Sequence, residues 1–312
     1  MEKKNSKTEW VIHVWGKERK QLELNNVEKF HLHMLELFQD QQKKFDRILV
    51  NVAMDDINDT KLFDFLKEKI GEVLVNDNVE FKMCQNNVYL GEYVTFRPYV
   101  FDRIGEDVNV FYTHFKGYAT FVKVLKDSFP TRIIDYCELF WAELMYRYSL
   151  NVDDANEKLK DKCTYGWYII KDPESNYYTD YYTEYHNKLQ SGHKEFKDAV
   201  KDNLHKYCPG SFCWYNLKRI GEKLKDVPYV TSVDVDYLSS FTKIGEVNLC
   251  THFCEAYLMN FLDSDECYSV KNFDKEIKTM YNPMYISIYP SKLIGREYLK
   301  DFEKYLIDNK LI

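Results

Sequence analysis

Four short apolar runs separated by helical periodicity fill the first third of the chain, and this order limits the fold more than any other feature. Trp10 to Trp15 (WVIHVW) reads as a buried strand closed by Gly16. Arg47 to Val52 (RILVNV) and Val79 to Met83 (VEFKM) are the second and third strands, and Val110 to Gly117 (VFYTHFKG) carries the fourth. Between the first two, Phe30, Met34, Leu37 and Phe38 recur at i, i+4, i+7 and i+8 within Val27 to Phe45, one face of a helix. Leu62 to Ile70 is the next helix. Glu92 to Phe101 returns the chain to the fourth strand, and is helical only if Pro98 sits in a first turn or at a kink. A βαβαβαβ order with short connections implies a largely parallel sheet. The predicted class is therefore α/β, a mostly parallel mixed sheet of the Rossmann type with helices on both faces.

The second half is more mixed. Ile134 to Tyr148 is amphipathic, with Cys137, Phe140, Trp141, Leu144 and Tyr148 on one side. Cys163 to Ile170 and Phe212 to Asn216 read as strands, Glu255 to Phe261 as a short helix, and Tyr285 to Tyr289 as a late strand. A last helix spans about Arg296 to Asp308. Tyr177, Tyr178, Tyr181, Tyr182 and Tyr185 form a continuous helical face. That face docks on the sheet or offers a platform for a sugar chain. With no repeat and no flexible linker, residues 1–312 read as one domain.

Composition excludes several classes. The chain has 312 residues, is 45% hydrophobic and 30% charged, and carries a net charge of −7. It is globular, and the absence of a basic tail or stripe argues against a nucleic-acid partner. No apolar run approaches the roughly 20 residues of a membrane span. The polar start MEKKNSKTEW runs directly into a strand, so a cytoplasmic protein without a transmembrane segment is expected, with peripheral membrane contact left open. Eight cysteines lack a CxxC pair and read as free thiols. Cys250-Thr-His252-Phe-Cys254 has no second ligand pair at zinc spacing, so no metal site is assigned.

The candidate chemistry lies at strand ends, because ligands of open α/β sheets bind outside the carboxyl ends of their strands. His114 and Lys116 differ by two and share a face, with Phe115 turned away into packing. An imidazole and an ammonium there suit an anion such as a diphosphate; the alternative is a solvated polar strand end. In Gly210-Ser211-Phe212-Cys213-Trp214, Gly210 permits close backbone approach to a ligand and Trp214 could cover a sugar ring, or the segment is only a tight turn entering a core strand. Asn86, Asn87 and Glu92 follow the third strand and either bind a nucleoside or cap a helix. Asp234-Val-Asp236 is a DxD triplet of the kind that holds divalent cations, and Glu255 is a candidate general base or a helix-dipole match. Asp55, Asp56 and Asp59 read as a solvated loop. There is no P-loop, GxGxxG, nucleophile elbow or HExxH.

In order, Asn86, Gly91-Glu92, Tyr112-Thr-His114-Phe-Lys116-Gly117, Trp141 and Met145, Gly210-Ser-Phe212-Cys-Trp214 and Glu255 resemble the signature elements of glycosyltransferase-like proteins from bacterial surface-polysaccharide clusters. The match spans most of residues 10 to 262. The resemblance implies a GT-A-like fold, with a nucleotide-binding half over residues 1–130 and an acceptor half over 131–312. It implies transfer of a sugar from a nucleotide-sugar donor to a glycan or lipid-linked saccharide. His114 and Lys116 stand where the fold usually carries its DxD motif, so they would neutralise the donor diphosphate without a required metal. Trp15, Asn86 and Glu92 would lie near the nucleotide, Gly210, Ser211 and Trp214 would shape the sugar pocket, and Glu255 or Asp236 would act as base. The alternative is a non-catalytic carbohydrate- or protein-binding module on the same fold.

Overall fold

The computed structural model describes residues 6–87, 91–115, 139, 142–167, 169–172, 205–208, 210–225, 254, 258–270 and 294–311. Lys116, Gly117, Trp141, the tyrosine face of 177–185, Asp234, Asp236, Cys250, His252, Glu255 and the strand expected at 285–289 lie outside these residues.

Strands β1 (Lys7–Gly16), β2 (Arg47–Met54), β3 (Val79–Gln85) and β4 (Val108–His114) pair in parallel in the order β3-β2-β1-β4. Helix α1 (Asn26–Leu37) and the short α2 (Gln39–Gln42) join β1 to β2. Helix α3 (Thr60–Gly71) joins β2 to β3, and α4 (Tyr93–Tyr99) leads back to β4. Then come α5 (Val152–Leu159), β5 (Thr164–Gly166), β6 (Ile170–Asp172), β7 (His205–Tyr207), β8 (Cys213–Asn216), α6 (Leu217–Leu224), β9 (Cys267–Ser269) and α7 (Ile294–Asp308). Strand β8 runs antiparallel between β4 and β5, and β9 pairs in parallel with β5. The result is a seven-stranded, mostly parallel mixed sheet, with β6 and β7 forming a separate ribbon.

Local chemistry sets the element ends. Asn25 caps α1 in a capping box with Glu28, and the Asp59 carboxylate accepts from Leu62 N to start α3. The expected helix to Phe45 instead breaks at Phe38, where φ is −108° and ψ is 25°. The buried amide of Gln42 holds this break: its Nε2 donates to Leu35 O at 2.7 Å and its Oε1 accepts from Val75 N at 2.9 Å. On α1, Leu35 takes the inward place expected for Leu37, which is exposed. Pro98 sits in the last turn of α4 rather than the first or at a kink. There it forgoes the bond its N–H would have made to Val94 O, and the helix ends one residue later. The strand expected over Cys163 to Ile170 splits in two, because Ser149 Oγ and Ser269 Oγ accept from Trp167 N and Ile169 N in place of a neighbouring strand.

Alternation along the strands builds two covered faces. On one, Trp10, Phe45, Phe111 and Trp214 stack with centroids 4.8–5.4 Å apart in successive contacts. Helix α1 covers this face through His31, which stacks on Phe115 at 4.6 Å, and a helix through residues 142–149 covers it through Tyr146 against Phe212. On the other face, Phe96 of α4 meets Tyr112 edge-on at 5.1 Å and Tyr215 at 5.6 Å. Each apolar side chain so buried stabilises the fold by roughly 1.5–3 kcal/mol. Among the described residues, no helix is long and apolar enough to cross a membrane.

Candidate functional site

The carboxyl ends of the four parallel strands form one rim. The antiparallel β8 begins at the same rim, beside the end of β4, so the topology gathers residues far apart in sequence. Two polar clusters result.

The first joins β1, β2 and β3. The Asp55 carboxylate follows β2 directly. Its Oδ1 accepts from Trp15 Nε1 at 2.7 Å and Asn86 Nδ2 at 2.8 Å, and its Oδ2 accepts from Glu18 N at 3.2 Å. Gln85 Nε2 donates to the Asp55 carbonyl at 2.9 Å, and Lys17 Nζ stands 5.3 Å over the Trp15 ring. Trp15 and Asn86, both expected near a nucleoside, are thus brought together through Asp55. Composition concealed Asp55 by placing it in an acidic loop, yet its neighbours have other duties. Asp59 caps α3, and Asp56 accepts from Asn58 N.

The second cluster lies under the start of α4. His114 Nδ1 stands 3.1 Å from Glu92 Oε2, and both side chains are largely buried. Tyr112 donates its hydroxyl to Glu92 O at 3.0 Å, which fixes the backbone of the residue that precedes α4. In the parallel register His114 is the neighbour of His13. The His13 imidazole shares a 2.7 Å hydrogen bond with Thr95 Oγ1, and Asn51 Nδ2 donates to that hydroxyl at 2.7 Å and to Cys84 Sγ at 3.1 Å. Burial pushes the His13 imidazole down to about 3, so it is neutral at ordinary pH. Burial also raises the Cys84 thiol, with Asn51 partly opposing the shift. His13 and Asn51 were missed because each sits inside an apolar strand run; the available signal was a polar residue amid Val and Ile on two adjacent strands.

Gly210 and Ser211 enter the rim at the start of β8. Ser211 N donates to Cys208 O at 3.2 Å, and Gly210 has φ of 80°, a left-handed conformation that glycine adopts at little cost. Ser211 itself has φ of 58°, a left-handed conformation that costs a residue with a side chain on the order of 1 kcal/mol or more. Its hydroxyl is fully buried without a hydrogen-bond partner among the described residues. Phe212 lies 6.1 Å from the His114 ring, which places this turn against the second cluster.

Trp214 is not brought to the rim. It pairs with Phe111 in mid-sheet, is fully buried, and donates Nε1 to Ser149 O at 2.7 Å. Its indole is a core element between Phe45 and Phe111, so it cannot cover a sugar ring. Phe115 turns away from His114 into packing on His31, as pleating requires. Lys116, Glu255 and Asp236 lie outside the described residues. Among the described residues no three His, Cys, Asp or Glu side chains converge as a metal site, and six cysteines are free thiols.

The rim thus offers an aromatic ring with a fixed carboxylate at one end, two imidazoles in the middle and a glycine turn at the other. This can seat a ligand with a planar group, an anionic or hydroxylated centre and a second polar group. No protein-family model matches the chain, and no curated protein matches its sequence.

Proposed function

We propose that the protein is a glycosyltransferase of GT-A-like architecture, acting on a nucleotide sugar and a glycan or lipid-linked saccharide acceptor. The observation that carries this reading is the convergence of Trp15, Asp55, Asn86, Glu92, His114, Gly210 and Ser211 at one carboxyl rim of a β3-β2-β1-β4 parallel sheet. Such rims are where open α/β sheets bind nucleotides.

In this reading Trp15 and Asn86 flank the nucleoside, with Asp55 holding both in place. His114 is oriented by Glu92, whose carboxylate offsets the imidazole's charge whenever it is protonated. His114 Nε2 is closed off from solvent, so in this reading His114 shapes the rim beside the diphosphate, and the net positive charge facing the departing diphosphate falls to Lys116. Donors aimed at charge that grows in the transition state lower the barrier most. The Gly210–Ser211 turn lets backbone approach the sugar, and Glu255 or Asp236 takes the acceptor proton.

The test is incubation with a panel of nucleotide sugars, with released nucleotide as the readout, for the parent and for Lys116→Ala and His114→Ala. Release by the parent, cut at least tenfold in both variants without loss of folding, is expected. Glycan binding with no nucleotide release from any donor would replace the enzyme with a binding module. Parental rates in Lys116→Ala would remove Lys116 from the reading.

A further inference from the structure

His13 occupies a place in β1 where the flanking residues, Ile12 and Val14, are fully buried aliphatics. An aliphatic side chain there would need no partners. Instead the fold surrounds the imidazole with Asn51 on β2, Thr95 on α4 and His114 on β4. Buried polar groups are retained at a desolvation cost, and a fully connected set fixes a side chain's orientation.

The hydrogen-bond logic fixes the tautomer. Thr95 Oγ1 already accepts from the Asn51 amide, so its own proton needs an acceptor. Among its partners only His13 Nδ1 can accept it. The imidazole proton therefore sits on Nε2. That nitrogen has no hydrogen-bond partner among the described residues. The residue keeps 7% of its surface open. Asn51 and Thr95 thus hold one nitrogen and leave the other N–H unclaimed among the described residues, one strand away from the Glu92–His114 pair.

We infer that His13 is a ligand-contacting residue of the rim, whose Nε2–H donates to a phosphate oxygen of a bound nucleoside diphosphate. This rests on the nucleotide-sugar reading above and adds a second, uncharged imidazole to it. Thr95 and Asn51 act through His13 as positioning residues.

Two substitutions separate a ligand role from a packing role. His13→Asn places an amide oxygen near the Nδ1 position, so it satisfies Thr95 but presents nothing at the rim. His13→Gln reaches the Nε2 position with an N–H donor and forsakes the Thr95 bond. Full-length protein is titrated calorimetrically with uridine, guanosine, cytidine, adenosine and thymidine diphosphates, and each variant's thermal unfolding is followed alongside. For the diphosphate that the parent binds, His13→Asn is expected to melt close to the parent yet bind about tenfold to a hundredfold more weakly. His13→Gln is expected to bind within about threefold of the parent while melting lower. The opposite ranking, with His13→Asn binding like the parent, overturns the inference and leaves the proposed function standing. A parent that binds none of the five diphosphates overturns both. Should His13→Asn not fold, Thr95→Val gives the second reading: release of the tautomer weakens binding about fivefold, and parental affinity overturns the inference.

Discussion

Replacing Asp55 tests whether the first cluster is a fixed structure or an incidental one. Three donors converge on its carboxylate: Trp15 Nε1 and Asn86 Nδ2 on one oxygen, and Glu18 N on the other. Hydrogen bonds to a charged acceptor contribute roughly 1.5–3 kcal/mol when buried. Asp55 is only half-buried, so donors freed by Asp55→Ala can turn to water. A discounted contribution of roughly 0.5–1 kcal/mol for each bond gives a loss of about 2 kcal/mol. For a chain of 312 residues that lowers the melting temperature by about 3 °C. Asp55→Asn can keep Trp15 and Asn86 on its remaining oxygen. Its amide then faces Glu18 N–H, donor against donor, so the loss should be about 1 kcal/mol. Thermal and urea unfolding monitored by circular dichroism measure both. Nucleotide affinity should fall in the same order, since Trp15 loses its anchor in Asp55→Ala and keeps it in Asp55→Asn. An Asp55→Ala protein that melts within about 1 °C of the parent would refute the reasoning, because three converging contacts would then contribute nothing.

Other consequences can be measured with the same equipment. His13 is neutral in the fold, and its depressed value of about 3 lies below the 6.5 of an unfolded chain. The unfolded state therefore binds more protons between these values, so stability should fall on acidification by up to about 1.4 kcal/mol per pH unit, and His13→Asn should remove that slope between about pH 6 and pH 4. Arg19→Ala leaves the buried Glu28 carboxylate without its bidentate guanidinium, held at 2.6 and 2.7 Å, and should cost about 3 kcal/mol in denaturant. Adding Glu28→Gln to Arg19→Ala should recover part of that loss, because the stranded charge is gone. Gly221→Ala would set a methyl group 2.7 Å from Gly105 Cα, backbone against backbone, and should cost about 2 kcal/mol or more in the same assay.

Much of the first half was legible because buried parallel strands announce themselves as apolar runs. The strand at Trp10, the one at Arg47 and the return to Val110 all lie where expected, with ends set within a few residues. The break at Phe38 was not legible, because it depends on Gln42 reaching residues 7 and 33 positions away. The split after Gly166 was hidden likewise, since serines from other segments take its backbone donors. At the rim, sequence order named Trp15, Asn86, Glu92 and His114 but not the contacts among them. Asp55 looked like one solvated acid among three, and His13 looked like a lapse in an apolar strand. Trp214 shows the reverse error. An indole beside a glycine turn reads as a ligand cover, whereas the register of β4 with β8 sends it into the core.

Helix α4 is barely two turns long, yet its Thr95 braces one imidazole while Glu92, at its entrance, braces the other. Phe96 of the same segment is wedged against Tyr112 and Tyr215. Anything that shifts this short segment disturbs His13 and His114 together. Lesions at 92, 95 and 96 should therefore be strongly non-additive, with the second costing much less than it does alone. Sequence drift at any one of these positions would be tolerated only alongside matching change at the others.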